Sequence, residues 1–125
     1  MSLNSIKIGV VQENPVVGDI SGNTLLAEKK IKSLLKESNP DVIVFTEMFL
    51  TGYPPEDLLY REDLLTDVEK ALSSLSKISP ETYIVMGYPK KNKSNLYNCA
   101  GVIYRDSMLC EYFKQELPNY KVFDE

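Results

Sequence analysis

The spacing of apolar residues changes several times along the chain, and each change marks an element. Residues 6–12, IKIGVVQ, form a short β-branched apolar run, the pattern of a buried strand. The stretch ENPVVGDISGN carries Pro15, Gly18 and Gly22 and reads as a loop, with Asn23 placed to cap the helix after it. In that helix Ala27, Ile31, Leu34 and Leu35 share one face. Asn39-Pro40 closes it, because a residue before proline disfavours helical geometry. DVIVFTE, 41–47, predicts a second strand. From about Glu56 to Ser79 the spacing is helical again, carried by Leu64, Val68, Ala71, Leu75 and Ile78, and Pro80 ends it. TYIVMGYP, 82–89, predicts a third strand. LYNCAGVIY, 96–104, and MLCEYFK, 108–114, predict a hairpin around Arg105, Asp106 and Ser107. The tail QELPNYKVFDE reads as a loop.

Strand, helix, strand, helix, strand implies right-handed crossovers and a largely parallel sheet covered by helices, to which the hairpin adds strands. The fold class is therefore α/β with a mixed sheet. In open α/β sheets, ligands bind beyond the carboxyl ends of the strands. Glu47 stands at such an end, followed at once by the turn-rich TGYPPED.

Composition narrows the picture. A chain of 125 residues can build one domain around one core. A hydrophobic fraction of 43% and a charged fraction of 26% are those of an ordinary globular protein. The net charge of −4 provides no electrostatic footprint for nucleic acid or an anionic membrane. The nearest basic cluster, Lys90, Lys91 and Lys93, reads as a solvated loop. No apolar run approaches a membrane span, and no signal peptide precedes the first strand. The opening Met-Ser-Leu precedes the first apolar run and contributes no element. Two cysteines, Cys99 and Cys110, without a secretion signal argue against a structural disulfide and for a cytoplasmic setting. The absence of histidine removes His-based triads and most zinc sites, and no metal site is expected.

A Glu at a strand end by itself marks solvent exposure, a terminal Lys protects a strand edge, and GYPP makes a rigid turn. In combination they resemble something more specific. TEMFLTGYPPEDLL and YFKQELPNYKVFDE, in that order, resemble two of the three catalytic signatures of the nitrilase (carbon-nitrogen hydrolase) superfamily. GYPPEDLL and KQELPNYKVFDE are most similar to the glutamine-hydrolysing domain of glutamine-dependent NAD synthetases, and IKIGVVQENPVVGDISGN resembles that family's first strand and loop. The resemblance spans essentially the whole chain. It implies that residues 1–125 are the N-terminal half of a four-layer αββα sandwich. It also implies a Glu-Lys-Cys triad, in which Glu47 is the general base toward a cysteine thiol and Lys114 stabilises the oxyanion. Tyr53 and Tyr120 match aromatic positions of the glutamine pocket, and Glu125 matches a second glutamate near the active centre. The division of labour is chemically coherent. A thiol with a pKa of roughly 8.5 is mostly protonated at neutral pH and gains from a nearby base and cation. A fixed cation aimed at developing charge serves as an oxyanion hole.

One signature is missing. The family's nucleophilic cysteine, in a tight turn between a strand and a helix, lies downstream of the VFDE segment, and these residues stop at Glu125. Cys110 precedes Lys114 on the same strand face at a distance of roughly 13 Å, taking about 3.3 Å per residue. Cys99 lies mid-strand. Both read as small buried packing residues. The resemblance then implies hydrolysis of glutamine to glutamate and ammonia, with these residues inactive alone. The ammonia would pass to a separate synthetase domain, absent here, that amidates nicotinic acid adenine dinucleotide with ATP and magnesium. No cofactor is expected in this domain. The expected partners are the small molecule glutamine and further copies of the chain, as family members form symmetric oligomers, and neither nucleic acid nor a membrane. Uncovered apolar sheet surface is expected as well. Two other classes remain open: a stand-alone amidase of the same superfamily, and a truncated, non-catalytic domain used for assembly.

Overall fold

The elements succeed one another in the order that the hydrophobic spacing predicts. They are β1 (Ile8–Val11), α1 (Ile20–Glu37), β2 (Val42–Phe45), α2 (Glu62–Ser76), β3 (Tyr83–Asn92), β4 (Asn95–Tyr104) and β5 (Ser107–Phe113). The structure, a computed structural model, describes residues 5–53, 61–78 and 81–114. The strands form one mixed sheet in the order β1-β2-β3-β4-β5. β1, β2 and β3 run parallel, joined by the helices, while β4 and β5 return antiparallel. The β4–β5 turn is a two-residue one with Arg105 and Asp106 at φ 47° and 67°, the left-handed pair that matches the twist of a hairpin.

The sequence expectations need four corrections. α1 starts before Asn23. Asp19 is its cap, accepting from the Gly22 amide at 3.0 Å, which leaves Asn23 in the first turn on the buried side. The expected helix is not continuous through Arg61, which is extended (φ −90°, ψ 120°) ahead of α2 at Glu62, and its expected first residues, 56–60, lie outside the described residues. Its apolar period takes hold at Leu64, the first of its residues that the core buries. Glu62 and Asp63 then stand in the first turn, where the helix dipole favours negative charge. Lys90 and Lys91 are not loop residues. β3 continues through them to Asn92, paired with Tyr97 and Leu96 of β4. Finally, β1 is not a buried strand. Only Val11 is buried, while Ile8 and Val10 are 57% and 61% exposed. The reason lies in coverage: β1 is an edge strand and the helices lie on one side of the sheet.

That side holds the core. Ile43, Phe45, Ile84, Met86, Tyr88 and Ile103 point toward the helices and pack with Ala27 and Ile31 of α1 and Val68 and Leu75 of α2. On the opposite side Ile8, Val10, Tyr83 and Tyr112 stay exposed, with Val42, Val44 and Val85 half-buried between them. The expected apolar sheet surface is therefore present. Among the described residues, no helix is long and apolar enough to cross a membrane.

Candidate active site

β2 ends at Phe45, and the chain turns sharply at Thr46 and Glu47. Met48 takes a left-handed conformation, φ 55°, and its carbonyl receives the amides of Thr51 and Gly52 at 3.3 and 2.9 Å. Met48, Phe49, Leu50 and Thr51 are all fully buried, while Thr46 and Glu47 are exposed. The apolar MFL triplet thus anchors the turn from beneath and leaves the carboxylate outside. Phe49 packs edge-on to Phe45, ring centres 4.8 Å apart.

Two neighbours hold the turn in place. Gly87 of β3 lies against it so closely that a Cβ there would stand 2.5 Å from the Thr46 carbonyl oxygen and 2.7 Å from the Met48 amide nitrogen. The Leu50 amide also donates to the Gly87 carbonyl at 3.3 Å. From the other side, buried Asn23 donates to the carbonyls of Leu50 (3.0 Å) and Val16 (2.8 Å) and accepts from the Val16 amide (2.9 Å). It brackets the β1–α1 loop to the Glu47 turn. Positioning through backbone groups of this kind is what a preorganised site requires.

Lys114 comes directly after β5, and its amide donates to the Asn98 carbonyl of β4 at 2.9 Å. Its ammonium reaches Glu47, at 3.1 Å from Oε2 and 3.4 Å from Oε1, across 67 positions of chain. The two side chains are 37% and 44% exposed, open enough for a substrate to approach both. Tyr53 shares a recess with Glu47, Glu13, Asn14 and Pro15. On the other side of Glu47, a shallow depression runs over Val85, Gly87, Asn98 and Tyr112 to Lys114. The structure therefore brings Lys114 to Glu47 on one side and Tyr53 to the recess on its other side. Tyr120 and Glu125 lie outside the described residues.

The cysteines divide. Cys99 is buried on the helix-covered side, and burial pushes its thiol up to about 11. Cys110, expected to be buried, is exposed, because it sits on the edge strand and faces the uncovered side. Sequence reasoning also missed Asn23, Gly87 and Asn98 as supports of the site. Two of them carry a signal. Asn23 continues the Ala27 and Ile31 face by one turn, a polar residue on a buried stripe, and Gly87 is an isolated glycine inside an apolar strand, a mark of close backbone approach.

The chain belongs to the carbon-nitrogen hydrolase family, whose profile matches residues 7–124. Within it, curated relatives at 30–37% identity include glutamine-dependent NAD(+) synthetases. The chain is 34% identical to that of Xanthomonas campestris pv. campestris over 125 residues, covering 100% of itself and 23% of the relative. It is 37% identical to that of Aquifex aeolicus over 122 residues, covering 96% and 21%. The solved glutamine-dependent NAD+ synthetase of Acinetobacter baumannii superimposes with a TM-score of 0.84 at 33% identity, over 95% of this chain and 22% of that one. An amidase from Nesterenkonia sp. shares the fold, with a TM-score of 0.80 at 18% identity, over 94% of this chain and 45% of that one. The chain thus spans under a quarter of the length of the synthetases it matches.

Proposed function

We propose that the chain supplies the base and the oxyanion-stabilising cation of a glutamine-hydrolysing site within a glutamine-dependent NAD synthetase. The observation that carries this reading is the meeting of Glu47 and Lys114 at 3.1 Å beyond the carboxyl end of β2. The Glu47 carboxylate takes the proton of a cysteine thiol. The thiolate attacks the side-chain amide carbon of glutamine, and the carbonyl electron pair moves onto oxygen, where the Lys114 ammonium stabilises it. Glu47, now a carboxylic acid, returns its proton to the departing ammonia. Glu47 then deprotonates a water that attacks the thioester carbon; the C–S bond breaks, glutamate leaves, and the cysteine sulfur recovers the proton held by Glu47. Tyr53 lines the entrance, with Tyr120 and Glu125 assigned to the same pocket by resemblance.

The nucleophile is assigned to a cysteine outside these residues, so residues 1–125 alone should not turn over glutamine. Burial and a raised pKa argue against Cys99. Cys110 stands on β5 well before Lys114. ATP and magnesium belong in this reading to a separate synthetase region. Among the described residues, no three His, Cys, Asp or Glu side chains converge as a metal ion would need. A cytoplasmic setting and assembly into a homo-oligomer complete the proposal.

The test uses the protein at its native length and both nitrogen donors. Glu47→Gln should lower glutamine-dependent NAD formation by about 10²–10⁴-fold, the usual range for a lost general base. Lys114→Ala should cost on the order of 10²–10³-fold. Both variants should retain most of the ammonia-dependent reaction, because neither touches the synthetase site. Unchanged glutamine use by Glu47→Gln would reduce the carboxylate to a strand-end charge. Equal loss with both donors, in a folded protein, would remove these residues from a separate glutaminase site, and absence of any synthetase reaction would favour a simple amidase.

A further inference from the structure

On the helix-covered side of the sheet, a polar cluster spans three strands. Tyr88 of β3 is fully buried, yet its hydroxyl donates to Glu111 Oε2 of β5 at 2.6 Å. Lys90, also of β3, donates to Glu111 Oε1 at 2.5 Å. β4 lies between these strands, and its residue level with Glu111 is Gly101. A Cβ on Gly101 would overlap the Tyr88 hydroxyl, so the ring crosses to β5 over bare backbone. A cation and a phenol from one strand thus converge on a carboxylate two strands away.

We propose that Tyr88, Lys90 and Glu111 are positioning residues that lock the register of β5 and so place Lys114. The proposal rests on the functional reading of Lys114 as the oxyanion-stabilising cation. Among the described residues β5 is the outermost strand, and its backbone ladder is made with β4. Its ladder is irregular. Cys110 pairs with Val102 and Met108 with Ile103, so Leu109 has no opposite number on β4. A bulge of this kind disrupts the ladder locally, bends the strand and offsets the pairing beyond it by one residue, so it decides which face every later side chain of β5 takes. A slip of one residue beyond it would carry Lys114 to the helix-covered side of the sheet, away from Glu47. Glu111 stands after the bulge and shortly before Lys114, where a fixed contact decides which face the lysine takes. The ordinary β4–β5 hydrogen bonds cannot do this by themselves, since a slipped ladder would satisfy most of them equally.

Two measurements test the proposal in the protein at its native length. The first is amide hydrogen exchange. Tyr88→Phe removes only the hydroxyl and Glu111→Ala removes the acceptor. Each should speed exchange at the Lys114 amide, which donates to Asn98, by tenfold or more, while the β1 and β2 amides keep their rates. This readout is independent of activity. The second is glutamine hydrolysis. Each variant should lose on the order of tenfold or more in kcat with the glutamine KM nearly unchanged, because Lys114 acts on charge that develops in the transition state. In a Lys114→Ala background the same changes should cost nothing further, whereas a general loss of structure would multiply with the lysine's loss. Unchanged exchange at Lys114 in Tyr88→Phe overturns the register lock, and so does an undiminished penalty in the Lys114→Ala background. Faster exchange at Lys114 together with full hydrolysis by Lys114→Ala would retain the lock on β5 and overturn the functional reading instead.

Discussion

At the scale of single residues, the two cysteines show how position decides chemistry. Cys99 combines burial with a thiol pushed up to about 11. Only on the order of 10⁻⁴ of it is thiolate at neutral pH, and the thiolate is the reactive form. Cys110 is exposed on the open face of β5. Iodoacetamide at pH 7.5 should therefore alkylate Cys110 in the folded chain and spare Cys99, as peptide mass mapping would reveal. In the protein at native length, Cys99→Ala should destabilise the fold by about 1 kcal/mol and leave hydrolysis intact. A folded Cys99→Ala protein with no hydrolysis would make Cys99 a nucleophile candidate again. Glu47 offers the complementary lesson. Its neighbours Met48, Phe49 and Leu50 are wholly buried, so the carboxylate is held by the apolar residues that come after it.

At the scale of elements, the contact between β3 and β5 has a definite pH dependence. Burial raises the Glu111 pKa, but hydrogen bonds from Lys90 and Tyr88 outweigh it and the net shift is downward. Lys90 is shifted upward, first by its hydrogen bond to Glu111, against a smaller effect of burial. Glu69 of α2 and Cys99 of β4 also act on this cluster. A depressed carboxyl stabilises the fold above its unfolded value, about 4.3, and loses that contribution as pH falls through the folded value. A raised lysine stabilises below its own unfolded value, about 10.4, and loses it as pH rises further. Between those limits the contribution is flat. The difference in urea midpoint between wild type and Glu111→Gln should accordingly be constant near neutrality and shrink as pH drops below about 4. A difference that persists unchanged into strong acid would mean that the charged pair contributes nothing. The other element-level determinant is the close approach of β3 to the Glu47 turn, which only a glycine at position 87 permits.

At the scale of the whole molecule, one face of the sheet is covered by helices and the other presents Ile8, Val10, Tyr83 and Tyr112 to solvent. Contiguous apolar surface of this sort drives association. A solution of residues 1–125 should show concentration-dependent self-association by sedimentation equilibrium, with a weight-average mass above the 14.2 kDa of one chain. Val10→Lys, at a position 61% exposed, should shift it toward monomer without loss of helix signal. A strict monomer at all concentrations would count against the face as an association surface. Glu47 and Lys114 meet along the margin of this same face, beside Asn98 and Tyr112.

The sequence by itself determined the kind and order of the elements, because the spacing of apolar residues reports local backbone period, and local period is what helices and strands obey. It also pointed to Glu47 and Lys114, since a carboxylate closing an apolar strand and the two motifs around these residues are visible without coordinates. Tertiary structure alone decided the rest. That Lys114 reaches Glu47 depends on the register of β5, and register is a relation between distant segments. Whether Ile8, Val10 and Cys110 are buried depends on what lies over their face, and alternation along a strand carries no record of that. Asn23 could be read locally as a cap, but the carbonyls that hold it belong to Val16 and Leu50, which only the folded chain brings to it. Lys90 became part of the structure for the same reason: its partner, Glu111, is two strands away and was unreadable from the run of lysines in which it sits.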